Sequence, residues 1–148
     1  MRFEIAVDND DHDLLLEIEE LSESFSRAVA AYVEYQPSLK AAYEQSITAE
    51  DKKIFTAITN MQSDMPNPYE ADSAAARTLT ELQHSILNAQ KNDRHITMTA
   101  RFLRPETLAG LMPEAALKRP AVYIHVMEKY GLRQTAAVLN YKFGVKLG

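Results

Sequence analysis

No cysteine occurs among the 148 residues, which excludes disulfides, thiolate nucleophiles and cysteine-held zinc or iron–sulfur sites. Glycine is nearly as scarce. Gly110, Gly131, Gly144 and Gly148 are the full set, no two are paired to cradle a phosphate, and neither a GxSxG nor a P-loop pattern occurs. The four histidines, His12, His84, His95 and His125, show no HxH or HxxxH spacing that would hold a metal. No apolar run approaches the ~20 residues that span a bilayer. Residues 1–7 include Glu4 and run straight into Asp8, so they do not make the hydrophobic region of a signal peptide. The expectation is a cytoplasmic protein without membrane contact, cofactor, metal or catalytic residues.

What is present is ordinary in amount and unusual in arrangement. Apolar residues make up 46% and charged residues 25% of the chain, and a chain of this length suits one domain that buries ~70% of its unfolded surface. The net charge of −5 conceals a segregation. Residues 1–72 carry 16 acids against 5 bases, a net of −11, and residues 73–148 carry 5 acids against 11 bases, a net of +6. Such asymmetry either offers an acidic and a basic face to partners or lets the two halves neutralise each other on packing.

The longest periodic stretch is Leu14–Tyr35. Leu14, Ile18, Leu21, Phe25, Val29 and Tyr32 recur at helical spacing, while Glu17, Glu20, Glu23, Ser24, Arg27 and Glu34 occupy the other face. At 1.5 Å per residue such a helix runs roughly 33 Å. Asp8-Asn9-Asp10-Asp11-His12-Asp13 precedes it and suits helix capping and the positive end of the helix dipole. A calcium loop with Asp8, Asp10, His12 and Glu19 is the sharper alternative. It fails on Asp13, which stands where that loop needs glycine, and on the lack of an entering helix.

Pro37 ends or kinks the main helix, and Leu39–Gln45 could continue it. Thr48-Ala49-Glu50-Asp51 resembles a capping box ahead of a second helix with Ile54, Phe55, Ile58 and Met61 on its apolar face. Asp64–Tyr69 is expected to be a surface loop. A third helix is expected from about Asp72 to Ala89, with Ala75, Leu79, Leu82, Ile86 and Ala89 as its stripe, ended by the polar run Asn88–Arg94. Strands are expected at Arg2–Val7, at His95–Leu103, where Ile96, Met98, Ala100 and Phe102 alternate with threonines and arginine, and at Lys142–Leu147. Pro105 and Pro113 open short helices, and Pro120 opens another that ends at Gly131 as a left-handed cap. Leu132–Asn140 is helical again. The chain is therefore expected to form a single α+β domain over residues 1–148, predominantly helical, with five or six helices around a small antiparallel sheet.

Three functional readings follow. The leading one is a non-enzymatic interaction or regulatory protein, an inhibitor or accessory factor. It would dock a protein partner on the acidic face formed by Asp10, Asp11, Asp13, Glu17, Glu20, Glu23 and Glu34. The alternative is a nucleic-acid binder built on a helix-turn-helix-like unit over residues 120–148, with Lys129, Arg133, Lys142 and Lys146 meeting phosphate. Its recognition helix would be Tyr141–Gly148, which is short and carries two glycines. A small enzyme is the third, and it needs polar groups gathered around His95 or His125. Tyr32, Tyr35, Tyr123 and Tyr130, together with the edge strands, would allow a homodimer as readily as a monomer.

Overall fold

The computed structural model describes residues 9–64 and 73–147, with residues 9, 64, 74–79 and 143–147 described by backbone path alone. Seven α-helices lie among the described residues: α1 (His12–Glu34), α2 (Pro37–Ser46), α3 (Ala49–Asp64), α4 (Ala74–Thr99), α5 (Pro105–Leu111), α6 (Pro120–Lys129) and α7 (Arg133–Leu147). Short 3-10 turns stand at Asn9–Asp11 and Glu114–Leu117.

The expected α+β class is overturned, because no strand occurs among the described residues. Arg2–Val7 lies outside them. His95–Leu103 is divided between the last turns of α4 and the turn that follows. The polar run Asn88–Arg94, expected to end that helix, instead lies inside it. Three of its amide side chains find partners on neighbouring elements. Asn88 donates to Glu19 at 3.1 Å, Asn92 to Ser22 at 3.3 Å, and Gln90 to the Tyr130 carbonyl at 3.0 Å. Thr97 and Thr99 donate back to the carbonyls of Asp93 and His95 at 2.9 and 3.0 Å, which lets β-branched residues sit in a helix. The true register is Leu82, Ile86, Ala89, Asp93 and Ile96, all buried and spaced four, three, four and three. One polar member in an apolar stripe hides it from a hydrophobic reading.

Lys142–Leu147 is not a strand either, since α7 runs unbroken to Leu147. Leu132, Ala136 and Leu139 carry the helical register, all at most 2% exposed. With residues 95–99 helical, no strand among the described residues is left to pair with this segment, and an unpaired strand leaves its backbone groups without partners.

α1 and α4 are the central pair, and they run parallel. Residues 19, 22 and 26 of α1 meet residues 85–88, 92 and 95 of α4 in rising order, through Glu19 to Ser85 and Asn88, Ser22 to Asn92, and Ser26 to His95. α1 buries Leu15, Ile18, Leu21, Phe25, Val29 and Val33. Leu15 and Val33 stand in the core where the spacing suggested Leu14 and Tyr32, which pack at its margin. Burial of these six contributes a gross ~9–18 kcal/mol, an upper bound before chain entropy. α5, α6 and α7 close the other side of the core.

Two caps fix the joints. The expected capping box at the start of α3 is present: the Asp51 N–H donates to Thr48 Oγ1 at 3.1 Å, and the Thr48 N–H donates to Asp51 Oδ2 at 2.9 Å. At the end of α6, Gly131 takes φ +81°. The Gly131 N–H meets the Glu128 carbonyl at 3.3 Å and the Leu132 N–H meets the Met127 carbonyl at 2.8 Å. That is the Schellman pattern, with buried Leu132 and Met127 as its apolar contact. The aspartates ahead of α1 behave differently from expectation, since Asp11, its N-cap residue, makes no side-chain capping bond.

Candidate partner-binding site on the acidic helix

The periodicity of α1 sorts the expected acidic face into three kinds of group. Asp11 turns inward. It is buried, accepts from the Tyr130 hydroxyl at 2.7 Å, and pairs with Lys129 Nζ at 2.8 Å. Glu23 and Glu34 pair with bases of their own neighbourhood, Arg27 at 2.6 Å and Lys40 at 3.2 Å. Glu34 lies about 21 Å along the axis from Glu20. Asp13, Glu17, Glu20 and Ser24 form the third group, spaced four, three and four, which places them on one strip of the helix. Asp10, exposed in the preceding turn, stands at the head of that strip.

Glu17, Glu20 and Ser24 of this strip form one wall of an open cleft of about 410 Å³, and Lys118 and Arg119 line it from the residues just before α6. Leu21, Pro113, Ala115 and Tyr123 line the same cleft. Arg119 crosses to Glu17 at 2.8 Å and lies over the Tyr123 ring at 5.5 Å. Contact with the Tyr123 hydroxyl and the Glu17 carboxylate holds the guanidinium more firmly protonated than usual. Glu20 is exposed and, although Lys118 lines the same cleft, forms no ion pair among the described residues. Asp13, with a side chain 96% exposed, has only His12 beside it at 3.2 Å. The cleft can therefore take a cationic side chain at Glu20 and an apolar one among Leu21, Pro113 and Tyr123, with Asp13 beyond it on the same strip of the helix.

The expected basic group is not gathered. Lys129 is committed to Asp11, Arg133 is exposed at the start of α7, and Lys142 is half-buried two turns further on. Lys146 lies on α7 beyond the residues whose side chains are described. The corner α6–Gly131–α7 exists as expected, but α7 continues where a separate recognition helix was expected. Leu132, Thr135, Ala136, Val138 and Leu139 are buried, and α7 packs on α4, α5 and α6.

The histidines also separate. His125 is exposed on α6. His95 Nδ1 lies 2.9 Å from Ser26 Oγ, its ring meets Tyr43 edge-on at 5.6 Å, and it lines a small cavity of about 170 Å³. Burial pushes its pKa below the ordinary imidazole range, which favours the neutral ring. Ser26 is in mid-helix, where the backbone N–H groups are committed to carbonyls one turn back, so no oxyanion donors accompany the pair. The contact works as a tie between α1 and α4.

Of the four tyrosines expected to support self-association, Tyr123 and Tyr130 are buried, Tyr32 is half-buried and Tyr35 is 86% exposed. No helix among the described residues is long and apolar enough to cross a membrane.

One cluster escaped the sequence reading. Asp51, wholly buried, is held by Arg94 and by Arg101 at 2.9 Å, while Arg101 also donates to the Ser46 carbonyl at 2.9 Å. The Arg101 contact, then the Thr48 bonds and Arg94, hold its carboxyl far below the usual range. Its only local sign was the capping box, because the two arginines arrive from more than forty residues away. Set against family models, curated proteins and solved structures, the chain finds no match.

Proposed function

We propose that this is a non-enzymatic interaction protein that docks a basic segment of a protein partner in the cleft between α1 and α6, as an inhibitor or accessory factor. The observation that carries the reading is the pair Glu17 and Glu20 along one wall of an open cleft that also has apolar lining, with Asp13 one turn earlier on the same strip of α1. Lysine or arginine of the partner meets Glu20 and Asp13, an apolar side chain enters beside Leu21 and Tyr123, and Lys118 on the facing wall sets orientation by attracting an acid. The reading takes the protein to be cytoplasmic, as a cysteine-free chain allows.

The test uses a labelled amphipathic Lys/Leu peptide, its Glu/Leu counterpart and a mixed-sequence DNA duplex, followed by fluorescence anisotropy at low and high salt. The basic peptide is expected to bind, to weaken as salt rises, and to lose most of its affinity in the Glu17→Gln/Glu20→Gln protein but not in Glu44→Gln/Glu50→Gln. Binding that ignores salt or the first pair of substitutions refutes the proposal. DNA retention abolished by replacing Lys129, Arg133, Lys142 and Lys146 together would put the nucleic-acid alternative in its place.

A further inference from the structure

A second cleft, of about 570 Å³, opens between α3, α4 and α7. It falls in the size range of small-ligand sites, ~300–1,000 Å³. Most of its polar lining is already satisfied from within. The Gln90 amide donates to the Tyr130 carbonyl, the Thr97 hydroxyl to the Asp93 carbonyl, and the Asp93 carboxylate accepts from Thr135 at 2.6 and 2.7 Å. What is left over is positive. Asp51 is shared by Arg94 and Arg101, and Asp93 also attracts Arg94, so two carboxylates stand against three guanidinium groups once Arg133 is counted, an excess of one positive charge. Arg94 Nε is buried with no acceptor, a donor that the fold itself does not satisfy. Arg133, exposed, lines the same cleft from α7. Ile54 and Ile58 of α3 line it too, and neither is fully buried.

We propose that this cleft binds a small organic monoanion with an apolar tail, its carboxylate held by Arg94 and Arg133 and its tail laid against Ile54 and Ile58. Asp93 does not repel the anion strongly, since its carboxylate is turned to the first turn of α7 and takes the N–H groups there. An arginine edge matches a carboxylate in two-point geometry, and the isoleucines gain the burial that α3 lacks. A purely inorganic anion would leave them exposed.

The experiment is isothermal titration, with thermal unfolding in parallel, using octanoate below its micellar concentration, acetate, inorganic phosphate and octylammonium as probes. Octanoate is expected to bind saturably and to raise the unfolding temperature. Arg133→Gln and Ile58→Asn, checked for native helix content by circular dichroism, should each weaken it by about tenfold, the usual worth of one charge-assisted bond or one lost apolar contact. Arg104→Gln, on an exposed arginine outside the cleft, should leave it unchanged. Absence of saturable octanoate binding, or binding that Arg133→Gln does not alter, overturns the proposal. Acetate or phosphate binding as tightly as octanoate overturns the tail assignment, and octylammonium binding equally well overturns the arginine assignment.

Discussion

Replacing Asp93 by alanine, and separately by asparagine, tests the account of how α4 and α7 are joined. Asp93 is 7% exposed and stands in the apolar stripe of α4. Its carboxylate accepts the Thr135 N–H at 2.6 Å, the Thr135 hydroxyl at 2.7 Å and the Gln134 N–H at 3.4 Å. α7 is thus capped by a side chain from another helix. Alanine leaves the Thr135 N–H and hydroxyl, in a residue 1% exposed, without acceptors. Each buried orphan costs ~1–3 kcal/mol, with a cap worth ~1 kcal/mol partly included, so a loss of about 3–4 kcal/mol is expected. At ~2.1 cal/mol/K per residue of unfolding entropy, that lowers Tm by roughly 10 °C. Asparagine keeps one acceptor oxygen and should cost about 1 kcal/mol or less.

The pH dependence of the same pair is a second arm. Burial pushes the Asp93 pKa up, against the pull of Thr135, Gln134 and Arg94. A carboxyl whose folded pKa is raised contributes stability that is complete below its unfolded value of 3.8 and lost as pH climbs through the folded value. The stability of the natural protein relative to Asp93→Asn should therefore improve as pH falls from neutrality towards 4. Urea unfolding followed by far-ultraviolet circular dichroism reads both arms. An alanine variant within 1 kcal/mol of the natural protein, or a pH trend of the opposite sign, would refute the interlocking cap.

Two further outcomes follow from the other joints. Gly131→Ala forces a side chain into a left-handed residue where space is no obstacle, the nearest atom lying 3.8 Å from a built Cβ; the cost should be about 1–2 kcal/mol of conformational strain, measured by urea midpoint, with Gly131→Asn milder. Asp51→Asn should detach α3 from α4, seen as early proteolysis of the α2–α3 segment. In the natural protein the depressed Asp51 pKa gives stability that is present above the unfolded carboxylate value and is lost as pH falls through the folded one, so acid unfolding should show a component that Asp51→Asn lacks.

Local signals were legible where a residue and its neighbours in sequence decide the geometry. The main helix, its end before Pro37, Pro120 as an opener, the Thr48–Asp51 box and Gly131 as a cap all depend on contacts within a few residues, and all are present. The errors share one cause. Residues 88–103 look like a polar break followed by a strand only if buried positions must be apolar. Asn88, Asn92 and Asp93 are buried or half-buried because Glu19, Ser22 and the start of α7 supply their partners, and those partners are forty to seventy residues away. Taken with helical spacing and one polar exception allowed, Leu82, Ile86, Ala89, Asp93 and Ile96 would have revealed α4 at its full length. The arginine clamp on Asp51 and the remote cap by Asp93 leave no mark of this kind, since a sequence shows the donor and the acceptor but not that they meet.

The charge segregation can now be weighed against its two readings. Asp11 with Lys129, Glu17 with Arg119, and Asp51 with Arg94 and Arg101 each join an acid of residues 1–72 to a base of residues 73–148. Mutual neutralisation of the halves is therefore real, and it also sets how they dock. It is unequal. Among the described residues, three acids of the first half meet four bases of the second in this way, against 16 acids and 11 bases in the two halves of the sequence. The acidic surplus is what packing does not consume. Glu20, which lines the cleft between α1 and α6, belongs to it, so if the proposed docking of a basic segment holds, the salt dependence of association is the property most directly tied to that surplus.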